Sequence, residues 1–468
     1  PMFPGGMEIG SEEKAAVLEV MEDRTLFRYY GPVDFDSRVA RLEQDFAAHF
    51  DVRHALAVSS GTAALTTALV ALGIGPGDEV IVPGYTFIAS ATAVLAARAV
   101  PVIAEVDESL TLDPVALADR ITPQTKAIMP VHMRGAPCDM DHIMEVAKEH
   151  NLKVVEDTAQ AIGGHYGSKR LGTIGDVGAF SLQLHKIITT GEGGMLVTNQ
   201  PSAFYRARMY HDAAGFWRAE HPGELPIPGV NFRLSEIAGA LGLVQLGRLE
   251  ALLSRMRRLK ARQKAGLSGL HLRHIHDQAG DTAVCLVFYA PEAGLARQIV
   301  MALKAENVGA SVLYDPDVSN WHVYINWKHI LAQKTLTDEG CPYRCPYCIT
   351  WKMHQGVRQR NPAKIVEEMV WAKKIFNHDT FFFQDDASFL VREQLEGFLD
   401  ELERCGEELY WYYETREDVF LSFRDLWGRM KRNGLFKIVF GLESPDPEQR
   451  ARFGKKGYDL NAVESMLL

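Results

Sequence analysis

The sequence predicts an α/β protein built on a largely parallel sheet. Three observations carry this. Short apolar runs alternate with amphipathic stretches from residue 36 to residue 200, the pattern left by strands joined through crossover helices. A second alternation begins after about residue 335. The composition is that of an ordinary globular chain, 47% hydrophobic and 24% charged over 468 residues, long enough for two or three domains.

The strand candidates of the first region are ALAVS (55–59), EVIVP (79–83), PVIAEV (101–106), KAIMPV (126–131), KVVED (153–157) and GAFSL (178–182). The basic stretch from Leu249 to Lys264 reads as a long, solvated helix rather than a nucleic-acid surface. CLVFYA (285–290) and a helix near Leu295 to Glu306 suggest a smaller α/β unit. In the second region TFFF (380–383), LYWYYE (409–414) and FKIVFG (436–441) look like buried strands. Helices are expected over Pro362–Phe376, Val391–Cys405 and Leu421–Asn433. A repeated βα pattern of this kind is consistent with part of a barrel. The expected domains are therefore 1–250, 251–335 and 336–468.

A net charge of −10 argues against a dedicated binder of nucleic acid or anionic membranes. The best candidate for a membrane span, Val94 to Val106, is too short and is interrupted by Arg98 and Glu105. The N-terminal PMFPGGMEIG lacks a basic region followed by an apolar core. A cytoplasmic location is the expectation.

Four segments supply what pyridoxal phosphate (PLP) chemistry requires. That chemistry needs a lysine to form an imine and a carboxylate to keep the pyridine nitrogen protonated. It also needs donors for the phosphate and a flat apolar neighbour for the ring. SLQLHKIITTGEGG (181–194) sets Lys186 between an apolar strand and a glycine-rich turn, with Ser181 five residues earlier. VVEDTAQAIGG (154–164) puts Asp157 at the carboxyl end of a strand, the edge that faces ligands in α/β sheets. The alternative is a helix N-cap at Asp157 or Thr158. VSSGTAAL (58–65) offers the amides of Gly61, Thr62 and Ala63 at a helix start, a natural phosphate site. PGYTFIAS (83–90) places Phe87 just beyond a strand, free to stack on a ring or to serve as ordinary core.

In chain order, SSGTAAL, GDEVIVPGYTFIASA, VHMRGAPCDMD, VVEDTAQAIGGHYGSKRLGTIGDVGAFS, HKIITTGEGG and GVNFRLSEIAGALGLVQL resemble the DegT/DnrJ/EryC1/StrS family over about residues 7–330. These are sugar aminotransferases of PLP fold type I. The resemblance implies that Lys186 forms the imine, Asp157 pairs with the pyridine nitrogen and Gln160 contacts the ring or its hydroxyl. Phe87 stacks on the ring, and Gly61, Thr62 and Ser181 hold the phosphate. Asn231 reaches the phosphate of a neighbouring subunit in a homodimer with shared active sites. The implied reaction is ping-pong transamination from an amino donor, typically glutamate, to a keto- or aldehydo-sugar. The stretches HLRHIHDQAGDTAVCLVFYAP and NWHVYINWKHILAQKTLTDEG look closest to the 8-amino-3,8-dideoxy-octulosonate transaminases. The family's usual ending of the small domain is missing, so a truncated small domain is expected.

GCPYRCPYC (340–348) holds Cys341, Cys345 and Cys348 at C-x3-C-x2-C spacing. Three thiolates so placed suit a 4Fe–4S cluster with one iron left open. Zinc with His354 as fourth ligand, or three unmodified cysteines, are the alternatives. Tyr347 and the rest of 336–468 resemble the radical SAM family, whose cluster cleaves S-adenosylmethionine. FFFQDDASF, YYETRED and VFGLESPD resemble its cobalamin-associated branch. The resemblance sets Asp385 and Asp386 near the amino group of S-adenosylmethionine, Arg416 at its carboxylate and Glu443 at its ribose. Helix capping and surface ion pairs are the plain alternatives for these four. About four βα units are visible where the family has six, so a partial (βα)6 barrel is expected. Three arrangements are compatible with the sequence: a bifunctional enzyme, an aminotransferase joined to a radical SAM fragment, and a radical SAM enzyme with a non-catalytic PLP-fold module.

Overall fold

In the computed structural model of the chain the described residues are 4–29, 36–218, 223, 226–267, 269–313, 320–327, 330, 338–339, 358–359, 361–376, 379–383, 389, 391–415 and 417–440. They fall into two compact units, Pro1–Trp327 and Lys328–Leu468.

The first unit begins with helix α1 (Ser11–Asp23) and helix α2 (Arg38–Phe50). Ser37 caps α2, its Oγ accepting from the Ala40 amide at 3.1 Å. Val39, Leu42, Phe46 and Phe50 recur at three- and four-residue spacing and are buried. The Phe46 ring stacks on Phe50 at 4.4 Å and meets Phe180 edge-on at 5.2 Å, an arrangement that aromatic quadrupoles favour.

Seven strands form the central sheet. They are β1 (His54–Val58), β2 (Glu79–Pro83), β3 (Val100–Ala104), β4 (Thr125–Ile128), β5 (Lys153–Asp157), β6 (Val177–Ser181) and β7 (Gly194–Thr198). Their order is β1-β7-β6-β5-β4-β2-β3. The pairs β2–β3, β2–β4, β4–β5 and β5–β6 are parallel. Strand β7 is antiparallel to both β1 and β6, so it alone runs against the rest.

Strand β7 is not among the runs expected from the sequence. The 182–193 connection contains no helix and folds back on itself through a bridge between Gln183 and Gly191. Without a crossover the chain returns antiparallel. Helices α3 (Gly61–Ala71), α4 (Ala89–Ala96), α5 (Met140–Glu149) and α6 (Pro201–Tyr210) connect the other strands or follow the sheet. The core between sheet and helices is almost wholly aliphatic, with Leu56, Ala64, Leu69, Val82, Val94, Val155 and Leu196 all buried.

Helix α7 (Glu236–Ala265) meets one expectation and adds to it. It is 30 residues long, capped by Ser235, and buries Leu246, Leu249, Leu252, Leu253 and Lys260. Most of the stretch from 249 to 264 is exposed, as expected, but Leu249, Leu252 and Leu253 within it join the core cluster that includes Val39, Leu42 and Phe46 of α2. By length and composition α7 could cross a membrane, yet half of its apolar window is buried inside the protein. Beyond it, CLVFYA gives only a short strand, Phe288–Tyr289, paired with His271–Leu272. Helix α8 (Ala293–Ala305) follows.

In the second unit α9 (Pro362–Phe376), β8 (Thr380–Phe383), α10 (Arg392–Cys405), β9 (Tyr410–Thr415) and β10 (Leu435–Phe440) build a three-stranded parallel sheet in the order β8-β9-β10. Phe383, Phe398 and Trp411 form an edge-to-face cluster, with rings 5.4 Å and 5.1 Å apart at interplanar angles of 90° and 89°. The helix expected over 421–433 is broken. It becomes Glu417–Ser422, a tight turn Arg424–Leu426, and Trp427–Arg432. The Trp427 indole stacks on Phe420 at 4.8 Å and donates Nε1–H to the Phe420 carbonyl at 3.1 Å, which bends the chain there.

Candidate active site

The carboxyl ends of β1, β2, β4, β5 and β6 lie on one edge of the sheet, because these strands are parallel. The segments singled out in the sequence all leave the sheet at this edge. Sheet topology therefore gathers Gly61, Phe87, Asp157, Ser181 and Lys186 from distant parts of the chain.

Asp157 ends β5 and is 5% exposed. Ser90 donates its hydroxyl to Oδ2 at 2.7 Å, and the Ala159 amide donates to Oδ1 at 3.1 Å. No helix begins here, so the capping alternative fails. Burial pushes the Asp157 carboxyl up, against the hydrogen bonds from Ser90 and Ala159 and the fields of Lys186 and His132. A cationic partner at this carboxylate is what its burial calls for.

The preceding residue, Glu156, anchors the edge. Its Oε1 accepts from the amides of Ile174 (2.6 Å) and Gly175 (2.7 Å). Its Oε2 accepts from the Gly172 amide (2.8 Å) and meets His132 Nε2 at 3.0 Å. The Cys138 amide donates to His132 Nδ1 at 3.1 Å. That nitrogen therefore keeps its lone pair, and Nε2–H is the proton given to Glu156. Glu156 and His132 are not among the site residues expected from the sequence. Two consecutive acids in a buried run were the available signal, since adjacent strand residues face opposite sides.

Lys186 sits in the β6–β7 connection, where its amide donates to Gln183 O at 2.9 Å. Ile187 and Ile188 are sunk in the core on one side of it. The Thr189 amide donates to Gln245 Oε1 at 3.2 Å and its hydroxyl to Leu182 O at 3.0 Å. Burial lowers the Lys186 ammonium pKa; Asp157 opposes the shift and Arg134 adds to it. A lysine so placed yields a neutral amine more readily than one on the surface.

Helix α3 starts at Gly61, capped by Ser60, whose Oγ accepts from the Ala63 amide at 3.0 Å. The Ala63 amide is thus already engaged, which removes it from the expected phosphate donors. The Gly61 and Thr62 amides belong to the first turn, which has no intrahelical acceptor. A Cβ on Gly61 would lie 2.8 Å from Ser181 Cβ. Glycine there keeps the helix start and the buried Ser181 hydroxyl side by side, a cradle suited to an anion. Lysine, buried carboxylate and cradle together fit PLP.

Phe87 is 39% exposed and lies 5.5 Å from the His322 ring. Gln160 Oε1 accepts from the Arg134 amide at 3.1 Å, and Arg134 Nε donates to the Tyr85 hydroxyl at 3.3 Å. Arg134 adopts φ +56°, beside Gly135 at +80°, a tight turn that aims the guanidinium back over the sheet edge. Asn231 is exposed, one residue before Phe232, whose carbonyl accepts from the Ser59 amide at 2.8 Å. Arg134 and His322 were not singled out in the sequence, because only folding sets them beside Lys186.

Cys341, Cys345, Cys348, Asp385, Asp386, Arg416 and Glu443 lie outside the described residues. Among the described residues no group of three or more His, Cys, Asp or Glu side chains could hold a metal ion.

The chain matches the DegT/DnrJ/EryC1/StrS aminotransferase family over residues 7–369 and the radical SAM superfamily over 337–467. It is 45% identical to a GDP-perosamine synthase of Caulobacter vibrioides over 248 residues, which are 52% of this chain and 63% of that protein. It therefore spans under two thirds of that relative's length. It is 39% identical to the spore coat polysaccharide biosynthesis protein SpsC of Bacillus subtilis, over 66% of this chain and 82% of that one. Among solved structures, DesV of S. venezuelae, in complex with a ketimine intermediate, superposes with a TM-score of 0.57 at 34% identity. That match covers 65% of this chain and 82% of DesV. A 3-amino-5-hydroxybenzoic acid synthase superposes with a TM-score of 0.58 at 32% identity, covering 65% of this chain and 80% of the synthase.

Proposed function

This chain belongs to the DegT/DnrJ/EryC1/StrS aminotransferase family, and from that premise we propose that it moves an amino group from glutamate to a nucleotide-linked or acidic keto- or aldehydo-sugar. The observation that carries the reading is the pair formed by Lys186 and buried Asp157, each within the other's field at the sheet edge. The names of the relatives, a GDP-perosamine synthase and a dTDP-3-amino-3,4,6-trideoxy-alpha-D-glucose transaminase, support a sugar as acceptor.

Bound PLP supplies an electron-withdrawing ring that eases loss of a proton from the carbon bearing nitrogen. Asp157 holds the ring nitrogen in its protonated form, and Ser90 fixes the carboxylate's angle. Gln160 contacts the ring hydroxyl, with its carboxamide oxygen steadied by the Arg134 amide. Phe87 covers one face of the ring. Gly61, Thr62 and Ser181 hold the phosphate. Lys186 would hold the cofactor, and its amine would serve as the acid–base group for the proton at the carbon bearing nitrogen. Its lowered pKa suits that task.

Asn231 reaches the phosphate of the second subunit in a homodimer with shared sites. The cytoplasm is the compartment assigned, in keeping with the unpaired thiols of Cys138, Cys285 and Cys405. In the second unit Cys341, Cys345 and Cys348 are assigned to a 4Fe–4S cluster. Asp385, Asp386, Arg416 and Glu443 are assigned to S-adenosylmethionine. The radical SAM match over 337–467 supports both assignments.

The test is the full chain purified anaerobically with PLP and iron. Wild type shows the visible band of lysine-bound cofactor, and glutamate bleaches it. Lys186→Ala lacks the band; an unchanged spectrum in that variant refutes the site. Iron that fails to bind, with S-adenosylmethionine left whole, removes the second assignment alone.

A further inference from the structure

His322 is carried to the rim of the site by a short backbone pairing. The Thr86 amide donates to His322 O at 2.9 Å, and the Tyr324 amide donates to Gly84 O at 3.0 Å. The imidazole therefore lies 5.5 Å from the Phe87 ring and 6.3 Å from Tyr85.

Asn320 decides which nitrogen of that ring carries the proton. Its Nδ2 donates to Leu313 O at 2.7 Å, which fixes the orientation of the carboxamide. Its Oδ1 then faces both the His322 amide, at 3.0 Å, and His322 Nδ1, at 3.1 Å. A carboxamide oxygen only accepts, so Nδ1 must bear the hydrogen. In the neutral ring Nε2 keeps its lone pair. Burial, together with the cations Arg134 and Lys186, pushes the His322 pKa down to about 4. Near neutral pH Nε2 is an acceptor only.

The surroundings give that acceptor a use. Lys186 and Arg134 bring cationic donors, which suit carbonyl oxygens and anions. The Asp157 oxygens already accept from Ser90 and Ala159. A sugar brings hydroxyl hydrogens that need an acceptor. An amino-acid donor brings carboxylates, whose lone pairs gain nothing from another lone pair.

We propose that His322 Nε2 accepts a hydrogen bond from a hydroxyl of the amino-accepting sugar, with Asn320 as the positioning residue that holds the required tautomer. The pair reads the sugar and leaves the amino-acid donor untouched. This rests on the transaminase reading above.

The holoenzyme separates the two halves of the reaction. Bleaching of the cofactor band is followed with L-glutamate. It is then followed, in the reverse sense, with three amino sugars: GDP-perosamine, dTDP-3-amino-3,4,6-trideoxyglucose and 8-amino-3,8-dideoxy-octulosonate. For the amino sugar that wild type accepts, His322→Phe lowers kcat/KM about 10- to 100-fold, the usual loss for one substrate hydrogen bond. With glutamate the same variant stays within about twofold of wild type, since no donor bond is removed. His322→Gln recovers part of the loss, because its carboxamide oxygen can stand in for Nε2. In 15N spectra of the resting holoenzyme at about pH 6, the His322 signals show a protonated Nδ1 and a bare Nε2.

Equal losses in both half-reactions would mean that the ring only packs against Phe87, and would overturn the proposal. So would no loss in either, or a protonated Nε2. A wild type bleached by glutamate but by none of the amino sugars brings down the sugar reading, and this inference with it. A normal wild type with an unaffected His322→Phe brings down the inference alone.

Discussion

Glu156→Gln removes one charge and one acceptor from the most densely bonded carboxylate of the site. Four donors converge on Glu156, at 2.6, 2.7, 2.8 and 3.0 Å. A glutamine has one oxygen and one NH2. Whichever way it turns, one pair of donors then faces a donor. If the NH2 replaces Oε1, it meets the Ile174 and Gly175 amides, which cannot rearrange. If it replaces Oε2, it meets the Gly172 amide and His132 Nε2–H. The histidine cannot shift its proton to Nδ1, because the Cys138 amide already donates there.

Hydrogen bonds to a charged group contribute about 1.5–3 kcal/mol each, and an orphaned buried donor costs about 1–3 kcal/mol. Two bonds lost and two weakened give a destabilisation of about 3–5 kcal/mol, the range for breaking a buried charged network. That is a large share of the roughly 5–15 kcal/mol that holds a domain folded. The measurement is urea unfolding of the holoenzyme at fixed PLP, read through the cofactor band, which reports the first unit alone. Fixing the ligand matters because bound PLP itself adds stability by mass action. A loss under about 1 kcal/mol would refute the account of Glu156 as the anchor of this edge.

Other outcomes follow from the same geometry. Gly172 has φ +89°, and a Cβ there would lie 2.3 Å from Phe180 Cζ; Gly172→Ala should cost about 2–4 kcal/mol from backbone strain and overpacking, checked in the same urea assay. For His322, the folded-state pKa of about 4 lies below the ordinary 6.5. The unfolded chain thus binds more protons between these values, and the stability held above pH 6.5 is lost as pH falls toward 4. Discounted for partial solvent screening, this amounts to about 1–2 kcal/mol, and His322→Phe should flatten the stability profile in that window by this amount. In the second unit Phe398→Ala should cost about 3–5 kcal/mol, seen as faster hydrogen exchange over 410–415 with exchange over 153–157 unchanged.

Much of the site was legible in the sequence because PLP chemistry tolerates little variation in residue type. Lys186, Asp157, Gly61 and Ser181 sit in segments whose strand-to-turn character is local. The Ala63 amide was misjudged, because Ser60 competes for it at a distance of three residues. Glu156 and His132 escaped notice, since their roles depend on amides 16 to 19 residues away and on Cys138. The solvated reading of residues 249–264 holds for most of that stretch, but the burial of Leu249, Leu252 and Leu253 within it was not foreseen, for a related reason. Charge density along a helix says nothing of what its leucines pack on, which here is a core cluster that includes Val39, Leu42 and Phe46 of α2.

By itself the sequence determined the strand–helix alternation, the chemistry each segment could carry and the family to which the chain belongs. These are set by periodicity, turn residues and side-chain type, all of which are local. Only the tertiary structure decided that β7 runs against its neighbours, that Ser90 rather than a helix cap takes Asp157, and that Arg134 and His322 stand beside Lys186. Those are contacts between residues far apart in the chain, held by sheet order and backbone pairing. Hydrogen-bond partners of that kind, and through them the protonation state of a ring such as His322, exist only once the chain has folded.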